Sequence, residues 1–174
     1  MIVRQLKRNE IEQVWSIDRS ERIENIYKLQ NGLLTLVPQP IDVRGWPPGE
    51  PEKYTPILRE CFDRGGWLLG AFDRTNLAGA VVLDNQFIGP NNDQLQLEFL
   101  HISSSSRQQG LGRRLFDLAK ATARERGARR LYISATPSEN TVNFYLRRGC
   151  SIAKTPDPVL FAREPEDIHL ECEL

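Results

Sequence analysis

Apolar residues follow two rhythms along this chain. In some stretches they alternate with polar residues, and in others they recur every three or four positions; the two periods mark strands and helices. The sharpest change of rhythm lies between residues 94 and 125. Leu95, Leu97 and Phe99 alternate with Gln94, Gln96 and Glu98, which predicts a strand reaching Ile102. Leu111, Leu115, Leu118 and Thr122 then follow at helical spacing. A polar loop and a glycine turn, Arg107-x-x-Gly110-x-Gly112, separate the two.

Elsewhere the same reading gives a coarse map. Ile2 to Leu6 form a first strand, and Asn9 caps a helix that uses Ile11, Val14, Trp15 and Ile17. A second helical piece is expected near Arg22 to Leu29. Residues 38–56 hold six prolines in nineteen positions, with Gly45, Trp46 and Gly49 among them, so an irregular loop is expected there. Ile57, Leu58, Cys61 and Phe62 suggest a short helix ending at Gly65-Gly66. Residues 67–72 and 77–83 read as a hairpin, and 84–93 as a polar turn. Gly127 ends the long helix, and 130–135 make a buried strand. Thr136-Pro137-Ser138-Glu139 read as a helix start: a capping hydroxyl, proline at the first helical position and an acid three residues on. That helix covers 137–148 and stops at Gly149, strands follow at 150–153 and 168–174, and 155–167 is a loop.

Composition narrows the class. The 174 residues suit one domain with a single core. Formal net charge is zero, which favours neither nucleic acid nor a membrane surface. Charge is nevertheless uneven. Eight basic residues between Arg107 and Arg130 face only Asp117 and Glu125, a field that suits a phosphate-rich ligand. Lys120, Arg124 and Arg126 read as the solvated face of the helix, and the segment lacks the interleaved aromatics of a nucleic-acid surface. Cys61, Cys150 and Cys172 are widely spaced, and His101 and His169 are far apart, so no metal site is expected. Free thiols, no apolar leader and no long apolar run point to the cytoplasm.

The glycine turn has a chemical use. The first turn of a helix carries unpartnered N–H groups and the positive end of the helix dipole. Glycines let an anion approach that backbone closely, and arginine adds directed donors. The dinucleotide fingerprint G-x-G-x-x-G fails here, because Leu115 stands where its third glycine belongs, and no phosphate-loop motif occurs.

The loop is followed some thirty residues later by Ser138-x-x-Thr141-Val142-x-Phe144-Tyr145-x-x-x-Gly149-Cys150. Together these motifs resemble the GNAT superfamily of acetyl-CoA-dependent N-acetyltransferases over residues 66–153. Two departures stand out: Ser138 and Thr141 occupy places where that helix often carries Asn and Ala, and Gly149-Cys150 replaces a Gly-Phe. The resemblance implies a mixed α/β fold of GNAT type, a central twisted sheet of six to seven strands flanked by about four helices. It implies acetyl-CoA as co-substrate, no metal, and a small-molecule or peptide amine as acceptor. Gln108, Gln109, Gly110, Leu111 and Gly112 would hold the pyrophosphate through backbone N–H groups, with Arg107 at the edge. Leu100 and Ile102 would pair with the pantetheine arm, and one of their N–H groups could serve as oxyanion donor. Ser138 could touch the same arm, although capping its own helix is the plainer role.

The resemblance also proposes the proton chemistry. Tyr145, protonated at neutral pH, is the candidate general acid for the departing thiolate, against the plainer fate of a core aromatic. Glu98, an acid within an apolar strand, is the candidate base, directly or through water. His101 is the rival base, but in a regular strand it has the opposite parity to Glu98, so both reach one site only across a bulge. Trp46 and its neighbours are expected to shape the acceptor pocket, and Asp42, Glu50 and Glu52 to tolerate a cationic acceptor. The alternative is an acyl-CoA-binding sensor of the same fold without turnover. Exposed sheet edges allow a homodimer.

Overall fold

The computed structural model describes all residues from Met1 to Leu174. Seven strands form one sheet: β1 (Ile2–Gln5), β4 (Trp67–Asp73), β5 (Asn76–Ile88), β6 (Gln94–Ile102), β7 (Arg130–Ala135), β9 (Ile168–Glu173) and β8 (Cys150–Ile152), in that spatial order. Two further strands, β2 (Glu21–Gln30) and β3 (Leu33–Val43), make a separate ribbon. Every strand pair is antiparallel except β6–β7. The helices are α1 (Glu50–Asp63), α2 (Leu111–Glu125), α3 (Glu139–Leu146) and α4 (Pro158–Arg163). The mixed α/β architecture expected from the motifs is therefore present, with four α-helices around a seven-stranded mixed sheet.

The core lies on both faces of the sheet. On one face Leu111, Leu115, Phe116, Ala119 and Ala123 of α2 pack on Leu95, Leu97, Leu131 and Ile133. Leu118 is exposed, so the buried stripe of α2 runs through 116, 119 and 123 rather than through 118 and 122. On the other face Leu58 and Cys61 of α1 meet Ile11, Val14, Val82 and Phe99. A small third cluster joins Tyr132, Ala153 and Leu160.

Several local expectations are corrected. Residues 8–16 form a 3-10 helix, and it is opened by Glu10, which accepts from the Lys7 N–H at 2.8 Å, rather than by Asn9. Residues 22–29 are strand, not helix. The reason is the two-residue turn Asn31-Gly32, both at positive φ, which joins Gln30 to Leu33 and closes a hairpin. Only the middle of 38–56 is irregular. Pro38 and Pro40 sit in β3, whose outer edge needs no partner; Pro51 falls in the first turn of α1, and α1 carries Pro56 in its interior. Strand β5 continues to Ile88, which shortens the polar turn. The cap of α3 is Ser138 rather than Thr136, and Pro137 precedes it. Residues 158–163 form α4, because Asp157 accepts from the Val159 and Leu160 N–H groups and Leu160 is buried.

Candidate active site

Strands β6 and β7 pair in parallel only from Gln94↔Arg130 to Leu97↔Ile133. Beyond that point β6 runs on to Ile102 and β7 to Ala135 without pairing, and a cleft of about 1140 Å³ opens between them. Its lining includes Glu98, Leu100, Ile102, Arg107, Gln108, Gly110, Gly112, Ser138 and Tyr145. Gln109 and Leu111 do not reach it with their side chains: Gln109 donates to the Ser105 carbonyl, and Leu111 is in the core.

A bulge sets the site. On the β5 side Leu97 pairs with Leu83 and Phe99 with Val82, so Glu98 faces no partner. The extra residue inverts the side-chain alternation. Leu95, Leu97, Leu100 and Ile102 pack toward α2, while Phe99 and His101 turn to the opposite face. This corrects the sequence pattern, which placed Phe99 with Leu95 and Leu97. It also supplies the bulge that lets Glu98 and His101 line one cleft.

The backbone of β6 is left open toward the cleft. The Ser103 N–H donates to the Ala78 carbonyl at 2.8 Å, on the β5 side. Strand alternation then points the N–H groups of Leu100 and Ile102 the other way, into the splay. Further on, no N–H from Gln108 to Arg113 meets an acceptor within the chain. Gln108 and Gly110 both adopt positive φ, which curls this stretch into a concave row of donors at the start of α2. Around Gly110 a side chain would find open space, so glycine is required there by its φ of 79° rather than by crowding.

Arg107 is more structural than the sequence suggested. Its Nε donates to the Ile102 carbonyl at 3.1 Å and its Nη1 to the Ser20 carbonyl at 2.9 Å. It thereby straps the loop to the segment before β2. Ser138 Oγ accepts from the Thr141 N–H at 3.3 Å and donates to Thr141 Oγ1 at 2.9 Å, so the capping role is realised while the residue lines the cleft.

Cations dominate the lining: Arg19, Arg107, Arg113, Lys120, Arg147 and Arg148 against Glu21, Glu98 and Asp117. Lys120 therefore faces the cleft, not bulk solvent as its helix position suggested. Arg148 was not singled out by sequence. Its Nη1 donates to the Phe144 carbonyl at 2.6 Å and its guanidinium lies 3.6 Å from the Phe144 ring centre, while Nε is buried without an acceptor. A cleft with a row of free N–H groups, an orphaned guanidinium nitrogen and a cationic rim fits an extended polyanion.

The titratable groups differ in state. Burial pushes the Tyr145 hydroxyl well above its usual range, and no hydrogen bond within the chain engages it. Burial raises the Glu98 carboxyl, opposed by the Arg163 guanidinium, whose Nη2 lies 2.9 and 3.2 Å from its two oxygens. Burial, with Arg19 and Arg107 nearby, lowers His101 to about 3 and leaves it neutral. Its ring packs 4.8 Å from Trp46 and 4.7 Å from Phe99. Trp46 itself stands behind the lining, donating to the Ile17 carbonyl at 2.9 Å with Arg19 over its ring. Asp42, Glu50 and Glu52 do not line the cleft; Asp42 pairs with Arg44 and Glu50 with Arg19.

A splayed parallel strand pair, a bulge at the splay and a helix start lined by free N–H groups thus frame a single cleft. The sequence pattern of the acetyltransferase (GNAT) family matches residues 33–150, and the chain belongs to that family. No curated protein matches it in sequence. Among solved structures, a nourseothricin acetyltransferase shares 23% identity with a TM-score of 0.73, covering 99% of this chain and 97% of its own. A candidate streptothricin acetyltransferase from Bacillus anthracis, in complex with acetyl coenzyme A, shares 17% identity with a TM-score of 0.67 and covers 99% of each chain. The PaiA N-acetyltransferase of Thermoplasma acidophilum, in complex with coenzyme A, shares 16% identity with a TM-score of 0.64, covering 99% of this chain and 98% of its own. At these identities the likeness establishes the fold. No helix is long and apolar enough to cross a membrane.

Proposed function

We propose that this chain is a single-domain cytoplasmic N-acetyltransferase that moves the acetyl group of acetyl-CoA directly to a primary amine. The observation that carries the reading is the run of free N–H groups from Gln108 to Arg113, set at the mouth of the cleft that Tyr145 and Glu98 also line. Acetyl-CoA supplies the activated acyl group. The N–H groups of 108–113 bind its pyrophosphate, with Lys120 and Arg148 adding charge. Leu100 and Ile102 hold the pantetheine arm through their backbone, and the Leu100 N–H polarises the thioester oxygen.

Glu98 takes the proton from the acceptor ammonium, directly or through one water, and so frees the attacking lone pair. Its raised pKa makes it a stronger base than an exposed carboxylate. His101, held neutral by a value of about 3, is the poorer base. Tyr145 donates to the departing sulfur. The burial that keeps its hydroxyl protonated also makes hydrogen-bond donation its first contribution.

Calorimetric titration with acetyl-CoA, CoA and NADH tests the donor site: the two CoA species bind and NADH does not. Binding of neither CoA species overturns the reading. An amine panel then follows thiol release, with nourseothricin, polyamines, aminoglycosides, amino acids and peptide N-termini as acceptors. Nourseothricin is included because the relative at 23% identity is named for acetylating it.

A further inference from the structure

We infer that Arg163 is a positioning residue: from α4 it holds the Glu98 carboxylate ionised and turned into the cleft. The inference rests on the reading of Glu98 as base. Glu98 lines the cleft and Arg163 does not, so the guanidinium approaches from behind. A single nitrogen, Nη2, spans both carboxylate oxygens at 2.9 and 3.2 Å. That contact fixes the carboxylate and leaves lone pairs for an amine or a water on the cleft side. The Glu98 side chain is only 3% exposed, so water does little to support its charge.

The helix that carries Arg163 is held by contacts that lie outside the cleft. The Asp157 N–H donates to Tyr132 Oη at 3.0 Å, and Tyr132 Oη lies 2.7 Å from His169 Nδ1. His169 Nε2 lies 3.0 Å from the Glu164 carbonyl, which can only accept. The chain of donors therefore runs from Asp157 through Tyr132 to His169 Nδ1, and His169 Nε2–H closes on Glu164. These bonds tie both ends of α4 to the sheet, with Leu160 buried between them. Lys53 adds an ion pair to Glu164 at 3.0 Å.

No other side chain bonds the Glu98 carboxylate, and Arg64 favours its charge only from farther away. Asp84 from β5 is an acid and opposes its charge. Arg64, at the end of α1, is engaged by Asp84 at 2.9 and 2.5 Å. Cys61 of α1 is pushed up to about 12 and is neutral, as is His101 on the same strand. Arg163 is thus the cation hydrogen-bonded to Glu98 and the largest influence that opposes its burial.

The test is a carbon-13 NMR titration of the glutamate carboxyl carbons in the full chain, with E98Q identifying the Glu98 resonance. In R163M the Glu98 midpoint moves up by about one to three pH units, while R163K stays within about half a unit of the unaltered protein. A midpoint unmoved in R163M, or moved as far in R163K as in R163M, overturns the inference. If R163M does not fold, R163Q removes the charge at similar length and carries the same test. The readout needs no acceptor, so it fails separately from the acetyl-transfer reading, which the titration with CoA species decides.

Discussion

From Leu100 to Gly112 one limb of the cleft presents backbone. Its donors are N–H groups, its shape comes from positive φ at Gln108 and Gly110, and its parts are contiguous in the chain. Elsewhere the lining presents side chains gathered from distant segments: Arg19, Glu21 and Ile23 from the entry to β2, with Trp46 behind them, packed on the Phe99 and His101 rings that β6 turns away from α2. The two are tied together by Arg107 on Ser20, by Ser104 Oγ on Asp18 Oδ2 at 2.5 Å, and by the Ser104 N–H on the Asp18 carbonyl at 2.8 Å. A backbone-built limb grips any ligand with the right anion, whereas a side-chain wall can be rewritten one residue at a time. The first suits a shared co-substrate and the second a variable acceptor.

The sharpest test of this division removes the chemistry and leaves both walls standing. E98Q and Y145F are each expected to lower kcat by about 10²- to 10⁴-fold, with acetyl-CoA affinity unchanged by calorimetry. An unaltered kcat in Y145F would take Tyr145 out of the mechanism, whereas CoA binding without turnover of any amine in the unaltered chain would favour the sensor reading. Next in size is the backbone limb. Gly110→Val forces a branched side chain to a φ of 79°, a strain of about 1–2 kcal/mol, which predicts acetyl-CoA binding weaker by roughly tenfold or more. The same variant should leave the pH profile in place, since it touches no titrating group.

A smaller effect separates the two candidate bases. With His101 held at about 3 by burial, H101N should not displace any limb of kcat/KM between pH 5 and 8. A limb lost in that range would return the base role to the imidazole.

The smallest effect concerns the tether. Hydrogen bonds from Ser104 and Ser20 hold Asp18 at about 2, below its ordinary 3.8. A depressed carboxyl contributes stability above its unfolded pKa and loses it as pH falls through the folded one. The Tm difference between the unaltered chain and D18N should therefore be present at pH 6, shrink below about pH 4 and vanish below about pH 2.

Much of this was legible in the residues. Glycine spacing, the strand–turn–helix around it and the Phe144-Tyr145 helix pointed to the candidate donor limb, because backbone conformation there follows from local residue types. The hairpin turn Asn31-Gly32 was legible too, and reading 22–29 by helical spacing missed it. The bulge at Glu98 was not, since a bulge depends on the partner strand, and alternation alone put Phe99 on the wrong face. Helix α4 lay hidden among Pro156, Pro158 and Pro165, with only Asp157 before a proline to mark its start.

The sequence by itself, through the family that its two short motifs resemble, indicated the class of fold and singled out the candidate donor cradle and the two candidate proton carriers, because such motifs are set by residue type within a short span. Only the tertiary structure decided which way Glu98 and His101 face, that Arg107 is spent on carbonyls, and that Arg163, sixty-five residues from Glu98, supplies its counter-charge. Those outcomes depend on burial and on partners far apart in the chain, and neither is encoded in local periodicity.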